Sequence, residues 1–196
     1  FEDISVGNYW GWPEKFIILE NYIKVFQETS LLKYFINSLI ITIPSVVATL
    51  FLSSLSGFSL AKHKFRGNFF IFALFIAGNF VPAQILMIPV RDLTLNFGLY
   101  DTKLSLILFH TAFQIGFCTF FLRGFIKEIP HELVESARID GASEFVVYSK
   151  IILPLIMPAL AALAVLEFTF IWNDYFWALV LVQGEEARPI TLGIQA

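Results

Sequence analysis

The chain has 196 residues and a formal net charge of −3, with 57% hydrophobic residues, 15% charged residues and a mean hydropathy of +0.74. Soluble domains usually carry about 25% charged residues, so this composition all but excludes a water-soluble enzyme. The small net charge and the lack of a long run of Lys and Arg argue against a nucleic-acid partner. The single cysteine, Cys118, excludes an intramolecular disulfide framework and a Cys-x-x-Cys site. We therefore predict an all-α protein that forms a helical bundle in a lipid bilayer.

Stretches without Asp, Glu, Lys or Arg locate the predicted membrane spans. Charged side chains are costly in hydrocarbon, and about 20 helical residues are enough to cross it. Four stretches meet both conditions, 35–61, 67–90, 104–122 and 151–173, of which the last is interrupted only by Glu167. Pro44, Pro82 and Pro89 lie inside these stretches, and each is expected to kink or unwind its helix unless neighbouring groups satisfy the carbonyls that it leaves free.

The positions of the basic residues predict the orientation in the membrane. Seven of the thirteen Lys and Arg residues lie in two links, 62–66 and 123–150. Because basic residues are enriched on the cytoplasmic side, both links are predicted to be cytoplasmic. Residues 1–34, 91–103 and 174 onward then lie outside.

This topology gives two regions. Residues 1–34, which include the amphipathic run Ile18–Phe26, are interpreted as an external interfacial segment. Residues 35–196 form the transmembrane domain, with a cytoplasmic loop at 123–153. A chain that starts outside without a signal peptide is unusual, so we expect a further membrane helix before Phe1. The run Ile190–Ala196 is expected to begin another helix.

The cytoplasmic loop predicts two short helices separated by a tight turn. Pro130 suits the first position of a helix, and Gly141 fits the left-handed residue that ends one. Ser143 is a good N-cap for a second helix, which is expected to run to Leu153, before Pro154.

The chemistry of this helix pair leaves two interpretations open. In the first, the pair lies on lipid headgroups, with Glu135 and Arg138 as an exposed ion pair. In the second, it is a docking surface for a cytoplasmic protein. The small residues Ala137, Gly141 and Ala142 would then let the partner's backbone approach, while Glu135 enters a cleft.

One pattern in this loop resembles the EAA motif of ABC importer permeases. Glu135-Ser136-Ala137 is followed, after three intervening residues, by Gly141. Nine further residues separate Gly141 from Ile151, and a single residue separates Ile151 from Leu153-Pro154. The only departure is Ser136, where the family usually has Ala. Three segments resemble the carbohydrate branch of the family, the maltose-type permeases. They are the run 137–142, the pair Asn21-Tyr22 and the segment Trp172-Asn173-Asp174-Tyr175.

The resemblance implies the core of a type I ABC importer permease. Such a subunit forms half of the translocation pathway for a sugar or oligosaccharide in a bacterial or archaeal plasma membrane. Family members usually have six spans, so the first and last would be missing from these residues. By position in the motif, the residues expected to contact the ATPase are Glu135, Ser136, Ala137, Arg138, Asp140, Gly141 and Ala142.

The resemblance also implies partners. These are a cytoplasmic ABC ATPase dimer, a second homologous permease and an extracytoplasmic solute-binding protein, all working with the lipid bilayer. ATP and Mg would bind to the ATPase, and no cofactor is expected on this chain.

Polar residues within the predicted spans are candidates for the translocation pathway. Polar groups in a membrane usually face the interior of the bundle, where they can bind a solute. The alternative for each is a hydrogen bond between helices. The candidates are Asn79, Gln84, Gln114, Glu167, Asn173 and Asp174.

Catalytic and metal motifs are absent from the sequence. His63, His110 and His131 are scattered, and there is no HExxH, GxSxG or P-loop pattern. The chain is therefore not expected to hydrolyse ATP or to be an enzyme. The other interpretations are a permease for a solute other than a sugar, a membrane scaffold without transport activity, and an intramembrane enzyme.

Overall fold

The computed structural model describes residues 30–194, and this range contains helices and turns without a strand. The predictions made for residues 1–29, including the run Ile18–Phe26 and the pair Asn21-Tyr22, and for residues 195–196 lie outside the described range. The helices are α1 (Leu31–Lys62), α2 (Asn68–Gly78), a 3-10 turn (Ala83–Leu86), α3 (Met87–Asn96), α4 (Lys103–Glu128), α5 (His131–Ile139), α6 (Glu144–Val147), a π turn (Tyr148–Ile152), α7 (Leu153–Trp172), α8 (Phe176–Leu181) and α9 (Ile190–Gly193).

Three helical segments in the described range are long and apolar enough to cross a membrane: α1, α4 and the continuous segment Glu144–Trp172. They pack around one another, and Leu122, Ile126 and Ile152 are fully buried between them. The prediction of an all-α membrane bundle is therefore confirmed. α1 begins at Leu31, four residues before the predicted start of the first span.

α1 remains helical across Pro44. Proline lacks the N–H that would bond the carbonyl four residues earlier, and its ring disturbs the adjacent bond. The hydroxyl of Ser45 donates to the carbonyl of Ile41 at 2.6 Å, which supplies a donor beside the disturbed turn. Beside apolar residues such as Ile41 and Phe58, the buried side of α1 carries a series of mostly small polar residues: Asn37, Ser38, Thr42, Ser45, Thr49, Ser53 and Ser54.

The second predicted span, 67–90, is not a single straight helix. α2 ends at Gly78, and the segment Ala83–Asn96 leaves at an angle of 93°. Pro82 lies at the break, where its missing N–H removes a helical hydrogen bond. The side chain of Asn79 donates to the carbonyl of Phe75 at 2.8 Å and so satisfies one acceptor at the exposed end of α2. The two segments, Asn68–Gly78 and Ala83–Asn96, together form either a broken span or a re-entrant loop.

The fourth predicted span begins earlier than expected. The helix that starts at Glu144 passes through the π turn and through Pro154 without interruption and ends at Trp172. Pro154 stands at the start of α7, directly after the π turn. The predicted helix end before Pro154 was therefore wrong, because the irregular turn absorbs the loss of the proline N–H.

At the other end of the bundle, which the predicted orientation places outside, residues 174–194 fold back onto the spans; we call this segment the outer cap. The carboxylate of Asp101 accepts hydrogen bonds from the backbone N–H groups of Gln183 and Gly184, both at 2.8 Å. The amide of Asn37 donates to the carbonyls of Glu186 and Arg188 at 3.1 and 2.9 Å. The outer cap is thus fastened both to α1 and to the link before α4.

Candidate coupling site

Residues 131–147, which we call the coupling element, consist of α5, a tight turn and α6. Pro130 is the N-cap of α5, so the helix begins one residue later than predicted, at His131. Glu132 lies in the first turn and Arg138 in the last, where their charges complement the helix dipole. Val134 is fully buried and fixes the inner side of α5 against the bundle.

The turn has the geometry that the sequence predicted. Gly141 has φ +83°, the N–H of Gly141 donates to the carbonyl of Arg138, and the N–H of Ala142 donates to the carbonyl of Ala137. This pair of bonds is the Schellman arrangement that closes a helix C-terminus. The hydroxyl of Ser143 then accepts from the N–H of Val146 and caps α6. The helix–turn–helix prediction is confirmed.

The proposed ATPase-contacting residues divide into two groups by exposure. Glu135, Ser136, Asp140 and Gly141 are exposed, whereas Ala137, Arg138 and Ala142 are half-buried, with both alanines packed against the core. Two large apolar side chains beside the turn, Ile139 and Phe145, are 86% and 72% exposed. Neither was predicted from the sequence, although Phe145 follows the N-cap Ser143 closely in the predicted cytoplasmic loop, where an apolar side chain is a sign of a contact surface.

Arg138 does not pair with Glu135 as predicted for the lipid-bound interpretation. Its guanidinium binds both carboxylate oxygens of Glu144, with Nε to Oε1 at 2.8 Å and Nη2 to Oε2 at 3.1 Å. Glu144 lies across the turn, so the contact joins α5 to α6. Glu135 is thereby left on the exposed side of α5 with its carboxylate available to a partner.

The inner side of the coupling element is fixed to the spans. Tyr148, in the π turn, is buried against Phe58 of α1, and its hydroxyl lies 2.6 Å from the hydroxyl of Ser54. Val147 is fully buried in the same cluster. α6 also continues through the π turn into α7 as one helical segment.

Four of the six pathway candidates make no hydrogen bond with one another in residues 30–194. Gln84 is exposed on the broken second span, and Gln114 is half-buried on α4. Asn79 and Asn173 are exposed, and the side chain of each donates to a carbonyl of the preceding helix, Asn173 to Thr169 at 2.7 Å. The structure does not gather these four side chains into one site.

Glu167 and Asp174 have contacts inside the bundle instead. Glu167 is fully buried and accepts from the thiol of Cys118 at 3.2 Å, while its Oε2 has no hydrogen-bond partner in the described range. Asp174 accepts from the N–H groups of Trp177 and Ala178 and so caps α8. Its Oδ2 also lies 3.6 Å from Nε2 of His110. The contact between Cys118 and Glu167 fits the interpretation as an interhelical hydrogen bond, whereas His110 and Asp174 are too far apart for one.

Residues 28–196 match the family described as binding-protein-dependent transport system inner membrane component. The chain belongs to this family. Its members are membrane components of transporters rather than enzymes. Within residues 30–194, no group of three His, Cys, Asp or Glu side chains is placed to hold a metal ion.

Similar proteins include other permeases. The chain is 39% identical, over 98% of its length, to a protein of Caldicellulosiruptor sp. (strain Rt8B.4) named as an ABC transporter permease, ORF2, and covers 69% of that relative. It is 36% identical, over 91% of its length, to the arabinooligosaccharides transport system permease AraQ of Halalkalibacterium halodurans, of which it covers 63%.

A solved structure has the same fold. A chain of a bacterial ABC transporter involved in the import of the acidic polysaccharide alginate matches 87% of this family member with a TM-score of 0.79 and 27% identity. The match covers 60% of that chain. The predicted family and its all-α permease fold are therefore confirmed.

Proposed function

We propose that this chain is a permease subunit of an ATP-driven ABC importer and forms part of the pathway for a sugar or oligosaccharide. Family membership supports the importer class. The names of two similar proteins, one for arabinooligosaccharides and one for alginate, support a saccharide as the substrate. A solute other than a sugar is the alternative within the same class.

The coupling element is the proposed docking site for a cytoplasmic ATPase. The observation that carries this assignment is its two-sided construction. Its outer side presents Glu135, Ile139 and Phe145, whereas its inner side is buried against α1 and α7. Large exposed apolar side chains with an acidic neighbour are typical of a surface that a protein partner covers.

The mechanism follows from the continuity of the helices. The ATPase binds and hydrolyses ATP with Mg, and its closure displaces the coupling element. Because α6, the π turn and α7 form one uninterrupted segment, the displacement tilts α7 within the bundle. A second homologous permease would complete the pathway, and a solute-binding protein would deliver the substrate from outside. Gln84, Gln114 and the other predicted polar residues remain candidates for contacts with the solute.

Attachment of the coupling element to lipid headgroups is the second candidate function, because Ile139 and Phe145 would also suit a membrane interface. The two candidates differ in what binds the exposed side. A protein cleft requires Glu135 as an acceptor, whereas an anionic lipid surface would repel its carboxylate.

The test combines Glu135→Ala with Phe145→Ser, because both side chains are exposed and neither change disturbs the core. We expect the double variant to lose copurification of the ATPase and binding-protein-stimulated ATPase activity in vesicles. Loss of a hydrogen bond to a charged group in an interface costs about 1.5–3 kcal/mol, or roughly tenfold or more in affinity.

Lys150→Ala is the matched control, since Lys150 is exposed on the same segment but lies outside the proposed contact. Copurification and stimulation at the wild-type level in the double variant would refute ATPase docking and leave the lipid-bound helix pair. Ala137→Trp is a poorer test, because Ala137 packs against the core.

A further inference from the structure

Three separate elements meet at the side chains of His63, Arg138 and Glu144. His63 lies just after α1, in the link to α2, while Arg138 lies in the last turn of α5 and Glu144 begins α6. Nε2 of His63 is 3.0 Å from Oε2 of Glu144, and the guanidinium of Arg138 binds both oxygens of the same carboxylate. Nη2 of Arg138 lies 3.4 Å from Nε2 of His63.

The link that carries His63 is itself held in place. The side-chain amide of Asn68 donates to the carbonyls of Leu60 and His63 at 3.2 and 2.9 Å, which joins the end of α1 to the start of α2. Nε of Arg123, on α4, donates to the carbonyl of Leu60 at 3.3 Å. The ammonium of Lys62 donates to the carbonyl of Ile129, just before α5. The backbone around His63 is therefore held in place by hydrogen bonds to α4 and to the residue before α5.

The ring of His63 also packs against the buried aromatic pair of Phe58 and Tyr148, next to the coupling element. It packs edge-on against Phe58 at 5.2 Å between centroids, and Phe58 contacts Tyr148 in turn. A single half-exposed ion pair contributes little to rigidity. A carboxylate that binds an arginine through both oxygens and also contacts a residue of a third element constrains the relative orientation of these elements as well as the distance between them.

The coupling element is joined to α4 and α7 by chain continuity and by the buried cluster that contains Val134 and Val147. The link between α1 and α2 is not continuous with the coupling element in the chain and is joined to it by the contacts of His63. We propose that His63 is a positioning residue for coupling: through Glu144 and Arg138 it makes the link 63–67 move with the coupling element as one body, so that ATPase-driven motion reaches this link and α2 as well as α7. This inference rests on the proposed function as an importer.

The first test separates the hydrogen bond of His63 from its bulk. The complex with its ATPase is reconstituted in vesicles with binding protein, and the substrate imported per ATP hydrolysed is measured. We expect His63→Leu to lower this ratio about three- to fivefold while ATPase copurification stays unchanged. His63→Gln is expected to keep the wild-type ratio, because its side-chain amide donates from nearly the same place as Nε2.

Lys64→Ala is the control, since Lys64 is exposed in the same link and makes no hydrogen bond or ion pair with the cluster in the described range. A wild-type ratio in His63→Leu would overturn the inference while leaving the proposed function intact. A wild-type complex that does not couple ATP hydrolysis to import would overturn both.

The second test replaces the cluster by a covalent bond. His63→Cys and Glu144→Cys are combined and joined with a short, reducible bis-thiol reagent; Cys118 is fully buried and is left in place. Before cross-linking the ratio is expected to be low, and cross-linking is expected to restore it, because the link and the coupling element then move together again. Import that stops on cross-linking and returns on reduction would overturn the inference, since the two elements would then have to separate.

Discussion

The first and second predicted spans both contain proline, and they respond to it differently. α1 keeps Pro44 within 32 helical residues, while the second span breaks before Pro82 and turns through 93°. α1 buries a side of polar residues against α4 and α7. Among the residues of α2 and α3, only Thr94 is buried. The comparison indicates that neighbouring helices, more than the proline itself, decide whether a span stays continuous.

The second span also differs from α1 in how much of its surface the chain covers. Phe69, Phe80 and Ile88 are more than half exposed, and they need lipid or another subunit to cover them. α1 exposes apolar side chains as well, such as Val47, but its opposite side is buried against α4 and α7. Changes in α1 should therefore affect the stability of this chain, whereas changes in α2 and α3 should matter mainly where they touch α4.

The largest expected effect lies at that contact. A Cβ atom added to Gly116 of α4 would lie 2.6 Å from the backbone carbonyl of Phe75 in α2, and a backbone atom cannot move aside as a side chain can. We expect Gly116→Ala to destabilise the purified chain by about 3 kcal/mol in a detergent unfolding experiment.

Gly124→Ala is the matched control on the same helix, because no atom lies within 4 Å of its added Cβ. It should be neutral or stabilise by about 0.5–1 kcal/mol through helix propensity. Equal effects of the two substitutions would mean that α2 does not pack against α4 as described.

A smaller effect is expected from the same substitution at one asparagine in each span. Asn37 of α1 is buried and donates to the carbonyls of Glu186 and Arg188, so Asn37→Ala leaves two acceptors unpaired and should cost about 2 kcal/mol. Asn79, at the end of α2, is exposed and bonds only within its own helix. Asn79→Ala should cost less than about 1 kcal/mol by the same unfolding measurement; the reverse order would contradict the comparison.

The smallest effect is expected at the outer end of α1, where Lys33 pairs with Glu186 at 2.5 Å. The hydrogen bond from Lys33 holds the pKa of the Glu186 carboxyl below its ordinary value. A lowered folded-state pKa adds stability above the unfolded pKa of about 4.3 and loses it as the pH falls through the folded-state value. The melting temperature of Lys33→Ala should be slightly below wild type at pH 7 and low salt, and equal to it near pH 3. A difference that grows on acidification would contradict the pairing.

Most structural features that depend on residues close together in the sequence were predicted correctly, whereas features that depend on contacts between distant residues were not. Charge-free runs identified the spans, and Pro130, Gly141 and Ser143 identified the helix–turn–helix, because caps and turns are decided by neighbours in the chain. The partner of Arg138 was predicted wrongly, since Glu144 becomes its neighbour only once the turn closes. The break of the second span and the burial of Glu167 depend on packing between helices that are distant in sequence, which periodicity does not encode.

The π turn at Tyr148–Ile152 has a consequence for rotational phase. Each residue of an α-helix advances the chain by about 100°, and a π turn holds one residue more than an α turn in the same height. The wider turn therefore absorbs the rotation of that extra residue: if the same residues formed a regular α-helix, α5 and α6 would be rotated by roughly 100° relative to Ile156, Leu163 and Ile171 on the buried stripe of α7. The number of residues between Gly141 and Pro154, with the π turn among them, therefore sets the rotation of the coupling element about the axis of α7. Under the proposed mechanism, this rotation determines the direction in which a displacement of the coupling element would turn α7.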